Sequence, residues 1–305
     1  MIMHRYLKEL LVLAFAFISC AAQPLDLTLY KINGRQLVEA AETGRIAEAE
    51  TLLRNGVDPN KFTKYAYATA IHIAASRGDI NLLKLLKKYG ADLDFAAAPN
   101  RSTPLFDAAS TGQYLAVSYL LENGADIKRF LGPQQYTVLH VAAGARSPHN
   151  SIEVLKILIR HGANVNATAD NRESVLDSAV NADNFQAIDL LIMSGADQEH
   201  KGPGGATAIA SAVLGQDVKS IAVLLKHRVS LSNLDEVWGF SPLHYAARKG
   251  NLEIAEMLVR AGANAGQMSA DGRLPEEVAQ KEGYSEIAKY LRDVRTKHLS
   301  NKSRN

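Results

Sequence analysis

Cysteine is almost missing from this chain, with Cys20 the single one among 305 residues. No intramolecular disulfide can form, and cysteine usage therefore carries no sign of an oxidising compartment. Aromatic residues are sparse at 7%, with Trp238 the one tryptophan. Charge of one sign is also lacking: 34 basic and 32 acidic residues are interspersed, so no field is set up to draw in a nucleic-acid backbone. The apolar run from Leu10 to Ile18 is too short to span a bilayer comfortably. There is no G-x-S-x-G nucleophile elbow. The glycine-rich stretch Gly202-Pro203-Gly204-Gly205 lacks both the preceding strand and the Gly-Lys-Ser/Thr ending of a phosphate-binding loop, and reads as a hairpin. These absences predict a protein that is not an enzyme and has no cofactor, no metal and no nucleic-acid ligand.

What is present is repetition. The stretch FSPLHYAARKGNLEIAEMLVRAGAN, from Phe240 to Asn264, reads as two short helices. Ser241 suits an N-cap, and Pro242 follows at the first helical position, where its missing N–H is harmless. Gly250 suits a left-handed C-cap, and Gly262 closes the second helix. Aligning the chain on this helix start gives Arg35, Thr69, Thr103, Thr137, Ser174, Thr207, Ser241 and Leu274, at spacings of 34, 34, 34, 37, 33, 34 and 33 residues. A unit this small cannot bury its apolar faces alone and must stack on its neighbours.

The runs TAIHIAASRGDINLLKLLKKYGAD from Thr69 and TPLFDAASTGQYLAVSYLLENGAD from Thr103 resemble the ankyrin repeat, whose signature is a TPLHxAA run at a period near 33 residues. The resemblance covers residues 33–292 and implies an all-α solenoid of about eight helix–turn–helix units with short hairpin fingers. Unit one, from Arg35, and unit eight, from Leu274, are polar enough to be capping units. Unit four carries an insertion at Ala145 to Ser151, expected in the loop between its helices. Unit six has Arg228 in place of the closing glycine, which predicts a less tightly ended helix. Residues 293–305 read as a disordered basic tail.

Residues 1–22 differ in kind. A basic start, a short apolar run and the small residues Ser19, Cys20, Ala21 and Ala22 form the layout of a secretory signal peptide, with 23–32 as a linker. Phe17-Ile18-Ser19-Cys20 resembles a bacterial lipoprotein box, although Phe17 stands where leucine is usual. Lipidation at Cys20 and ordinary cleavage after Ala22 both stay open. The chain is expected to be exported and periplasmic, touching a membrane only through a lipid on Cys20, with secretion as the alternative.

His72, His140 and His244 recur at one place in three units. Helix layers lie about 8–10 Å apart, so the nearest two are separated by roughly 20 Å and cannot share an ion whose ligands sit about 2 Å away. The family resemblance implies instead that each bonds near its repeat start. The resemblance also implies a concave face of fingers and first helices. By register it carries Tyr65, Arg77, Tyr136, Glu173, Trp238, Phe240, Arg248 and Lys249, with Trp238 and Phe240 expected as an aromatic anchor. The predicted function is protein binding by a monomer, as an inhibitor or protective partner of another bacterial envelope protein. The alternative is a secreted effector that engages eukaryotic host proteins.

Overall fold

A computed structural model describes residues 27–61, 68–145 and 148–302. Cys20, the segment 1–22 and Tyr65 lie outside the described residues, as do 23–26 of the expected linker.

The helix starts follow from local chemistry. Thr69, Thr103, Thr137, Ser174, Thr207 and Ser241 all take extended backbone just before a first helix. These first helices are α3 (Ala70–Arg77), α5 (Pro104–Ser110), α7 (Val138–Ala143), α9 (Val175–Asn181), α11 (Ala208–Gly215) and α13 (Pro242–Lys249). Each leads into a second helix: α4 (Ile80–Lys88), α6 (Tyr114–Glu122), α8 (Pro148–Arg160), α10 (Phe185–Met193), α12 (Val218–Lys226) and α14 (Leu252–Arg260). Asp79, Asn184 and Asn251 cap second helices by accepting the N–H groups of Leu82, Ala187 and Ile254. The array begins with α1 (Leu27–Thr43) and α2 (Ile46–Arg54) and ends with α15 (Pro275–Lys281) and α16 (Ser285–Lys302). First helices pack on first helices and second on second along the chain, and one apolar core runs from Leu37 to Leu291. A two-residue hairpin, β1 (Phe130–Leu131) with β2 (Tyr136–Thr137), forms the finger of unit four.

Backbone polar groups are satisfied across units as well as within them. Behind the second helices the N–H of Asp92 donates to Asn60, that of Asp126 to Asp94, that of Asp197 to Asn166 and that of Ser230 to Glu199, at 2.8–2.9 Å. These bonds fix the register of units one to three and of units four to six.

Several sequence expectations need correction. The insertion of unit four is not a loop only: α8 begins at Pro148, inside it, and is 13 residues long where its neighbours have 9. Most of the extra length becomes an added turn of helix, while 146 and 147 lie outside the described residues. The segment read as a linker is helical from Leu27 onward. The segment read as a tail is helical to Lys302, because no glycine or proline interrupts it and Arg295 anchors it. The Arg295 guanidinium meets buried Glu276 with two bonds, Nε to Oε2 at 3.0 Å and Nη2 to Oε1 at 2.9 Å. Residues 303–305 lie outside the described residues. Arg228 does not loosen α12, since it takes the left-handed conformation of the absent glycine (φ 58°) and its N–H reaches Leu225 at 3.0 Å.

A side chain at that φ is strained by roughly 1–2 kcal/mol. Arg228→Gly is therefore expected to stabilise the protein by about 0.5–1 kcal/mol, after the greater freedom glycine gives the unfolded chain is subtracted. Leu120 is fully buried in α6, and Leu120→Ala is expected to lose about 2–5 kcal/mol by leaving a cavity. Urea denaturation of the two variants checks both signs.

Candidate functional site

The fingers are held to the helices by a bond that recurs with the repeat. His72, His140 and His244 each stand on the third residue of a first helix, and their Nδ1 accepts the backbone N–H of Thr69, Thr137 and Ser241 at 3.2–3.3 Å. The same nitrogen lies 2.7–2.9 Å from the hydroxyl of that capping residue. An accepting Nδ1 leaves the proton on Nε2, which donates to the carbonyls of Ser102, Glu173 and Arg273 in the next finger at 3.0–3.2 Å. Each ring thus ties one repeat start to the following finger. Burial pushes all three histidines below their ordinary pKa, so they sit neutral in the fold.

Unit five uses Asp177 in that place, where Oδ2 accepts the Ser174 N–H at 2.9 Å and its hydroxyl at 2.7 Å; burial pushes this carboxyl up. Units three and six have Phe106 and Ala210 there, which have nothing to offer. The buried hydroxyls of Thr103 and Thr207 accordingly have no partner among the described residues.

The residue just before each cap forms a column along the fingers. Tyr136 in unit four packs edge-on against His140 and donates its hydroxyl to Glu173 of unit five at 2.8 Å. Ser178 donates to the other Glu173 oxygen, also at 2.8 Å. Tyr136, His140, Glu173, Ser178 and Asn181 line a cleft of about 500 Å³ on this side. Phe240 holds the same column position in unit seven and is only 2% exposed. Its ring stacks on His244 at 5.3 Å, meets Tyr245 edge-on at 5.6 Å and lies under the Arg273 guanidinium at 5.4 Å. The expectation that Phe240 anchors a partner is therefore corrected. The ring is core, because the column position faces the histidine of its own unit.

Trp238 remains at the surface, 48% exposed, beside Val237 at 65%. Asp235 shapes this finger: Oδ1 accepts the N–H groups of Val237 and Trp238, and Oδ2 that of Phe240, each at 2.7 Å. Gly239 completes the bend at φ 61°, and a Cβ there would come within 2.1 Å of the Ala270 Cβ, so no other residue fits without movement. One face of the indole carries the Arg248 guanidinium, 4.6 Å from the ring centroid, and Lys249 stands exposed next to it.

The structure therefore brings Trp238 and Arg248 together, with Lys249 exposed one residue further along the helix, and separately pairs Tyr136 with Glu173. Arg77 belongs to neither group. It lies exposed at the end of α3 and donates Nη1 to the Glu42 carbonyl at 2.8 Å, closing the end of α1. Asp235 was missed in the sequence, although an acid three residues before a tryptophan is a readable turn signal. The groove between the fingers of units three and four was also missed.

Comparisons with known proteins agree with this geometry. The family model for ankyrin repeats matches residues 37–131, 176–269 and 208–302, and the single ankyrin repeat matches 134–170. Palmitoyltransferase AKR1 of Lachancea kluyveri is 27% identical over 77% of this chain, which spans only 27% of that protein's length. Alpha-latrocrustotoxin-Lt1a of Latrodectus tredecimguttatus is 30% identical over half of this chain and 10% of its own. Human cyclin-dependent kinase 4 inhibitor B is 33% identical over 35% of this chain and 77% of its own. Among solved structures, the ankyrin repeat domain of Bcl-3 superposes with a TM-score of 0.63 at 26% identity, covering 73% of this chain and 98% of that one. The human ASB11 ankyrin repeat domain, at 24% identity and a TM-score of 0.64, shares the fold over the same 73% and 98%.

The neutral histidines make stability depend on pH. Below the ordinary histidine value of 6.5 the unfolded chain binds protons that the folded chain refuses, so stability is complete above that pH and falls beneath it. The slope cannot exceed about 1.4 kcal/mol per pH unit for each ring. Asp177, with its raised value, works in the opposite direction at lower pH. The urea midpoint at pH 5.5 is expected to lie below that at pH 7.5, and His140→Gln should shrink the difference. A midpoint that stays flat or rises on acidification would show that the rings take up protons within the fold.

Proposed function

The chain belongs to the ankyrin-repeat family and is a protein–protein interaction module, and we propose that it binds and holds inactive, or protects, another protein of a bacterial cell envelope. The observation that carries this reading is the Trp238 corner. A half-exposed indole and an exposed valine sit on a finger whose backbone is fixed by Asp235, beside the cations Arg248 and Lys249. A large apolar group on a rigid loop, flanked by positive charge, fits a partner with an apolar pocket beside acidic groups. A relative named as an inhibitor of a kinase supports the view that an array of this kind acts by occupying its partner.

Export is supported by the signal-like layout of residues 1–22, and attachment to a membrane rests on Cys20. No described helix is long and apolar enough to cross a membrane. The secreted-effector reading uses the same surface and differs in where the protein is recovered.

Pull-down from envelope extracts with the wild-type chain and a Trp238→Ala variant, followed by titration calorimetry with the captured protein, tests the reading. Trp238→Ala is expected to weaken binding by at least ~2 kcal/mol with little change in melting temperature. A large fall in melting temperature with retained affinity would make Trp238 a packing residue. Cys20→Ser is expected to move the protein out of the membrane fraction and abolish fatty-acid labelling. A mature N-terminus at Gln23 would instead show ordinary cleavage, and recovery in culture medium would favour the effector.

A further inference from the structure

Two local regularities of this array are broken, and the break in each that is left without a side-chain partner, Arg101 in one and Lys128 in the other, lines one groove. The first rule concerns the finger residue two before the cap, which takes left-handed backbone in every described finger from unit three to unit eight. Units six, seven and eight use Gly205, Gly239 and Gly272 there, as the conformation favours. Units three, four and five use Arg101 (φ 61°), Gln135 (φ 55°) and Arg172 (φ 68°). Gln135 donates to Asp170 at 3.1 Å, and Arg172 pairs with Glu236 at 2.9 Å. Arg101 has neither an ion pair nor a hydrogen-bonded partner among the described residues. Among the described residues no ion pair or side-chain hydrogen bond offsets its strain.

The second rule concerns the ladder behind the second helices. The position that holds the acceptors Asn60, Asp94, Asn166 and Glu199 in units one, two, four and five holds Lys128 in unit three. An ammonium group only donates, so this rung cannot form. The Lys128 side chain is exposed and has no carboxylate partner among the described residues.

Arg101 and Lys128 meet in a groove of about 750 Å³ between the fingers of units three and four, together with Arg129, Pro99 and Phe130. The two fingers are joined by the Gly132 N–H donating to the Asn100 carbonyl at 2.8 Å. Phe130 is 50% exposed. The nearby acids are already engaged. Asp126 accepts the Lys128 N–H and stands 3.7 Å from Arg129, and Asp170 holds Gln135. The groove therefore keeps an excess of positive charge beside an exposed aromatic ring. Places where a chain breaks its own local rules without an internal gain are where function is expected.

We infer that this groove binds an acidic, extended segment of a protein partner, with carboxylates on Arg101, Lys128 and Arg129 and an apolar side chain against Phe130. A protein segment is favoured over nucleic acid because only three cations line the groove, around an apolar ring, on a chain whose overall charge is +2. The inference rests on the protein-binding reading above but on different residues, so it does not depend on Trp238.

The test uses the full chain and a fluorescein-labelled peptide of glutamates around a central leucine, followed by anisotropy. The same peptide with lysines for glutamates and a short DNA duplex serve as counter-probes. The deciding variant is Arg101→Gly combined with Lys128→Asn, which restores both rules. It is expected to raise the melting temperature while weakening the acidic peptide roughly tenfold or more. Phe130→Ala is expected to weaken the peptide without altering its salt dependence, and Trp238→Ala to leave it unchanged. Unchanged peptide binding in the double variant would overturn the inference, as would a lower melting temperature, which assigns both residues to the fold. Equal binding of the lysine peptide, or tighter binding of the duplex, would overturn it as well. If Trp238→Ala keeps the natural partner while the peptide results hold, the Trp238 corner fails and the groove stands.

Discussion

Everything in this molecule depends on one constraint: a pair of helices of eight and nine residues has two apolar faces and nothing of its own to cover them. Each unit is stable only between neighbours, so the core is a single ribbon of side chains running from Leu37 to Leu291 rather than a central knot. The ends of such a ribbon need separate treatment. At the C-terminus the treatment is electrostatic, with Arg295 folding α16 back onto the buried Glu276 carboxylate. A single carboxylate buried at the rim is acceptable because the guanidinium meets it with two bonds.

Stacking alone leaves the fingers unheld, and the histidines supply what is missing. A neutral imidazole offers an acceptor to one unit and, from the far side of the ring, a donor to the next, whereas lysine can only donate. The aspartate of unit five reproduces only the acceptor half. The column before the cap adds a second fastening of varied chemistry, a hydrogen bond from Tyr136 to Glu173 and a cation over a ring between Arg273 and Phe240. The concave side is thus made rigid by the very residues that line it. This is why the Trp238 finger can hold an indole half out of water.

The helix starts were legible in the sequence because they depend on residues within a few positions of one another, and the period because they recur. The family resemblance implied that the three histidines bond near the repeat start, but not that Nε2 reaches a carbonyl about thirty residues on. Phe240 was not legible as core, since its burial depends on His244 and Arg273 together, and the latter belongs to the next unit. The continuation of α16 was hidden for a similar reason: a charged run looks solvated until its partner Glu276, nineteen residues earlier, is found beside it. Arg228 misled in the other direction, because a left-handed residue need not be glycine when the surrounding bonds impose the turn. Of the candidate face, the pair of Trp238 and Arg248 and the pair Tyr136–Glu173 were reachable by register. Arg101 and Lys128 stood out only when each unit's backbone was compared with the others.

The ladder behind the second helices has a further consequence for how such a chain changes over generations. In every rung the donor is a main-chain N–H, which any residue but proline carries, and only the acceptor is a side chain. For this bond a unit needs from its neighbour only a main-chain N–H, and the array stands even where unit three, with Lys128, offers no acceptor. As far as the ladder is concerned, a unit can be duplicated, lost or exchanged without a compensating change next door, and the array can alter its length while the spacing of its fingers is kept.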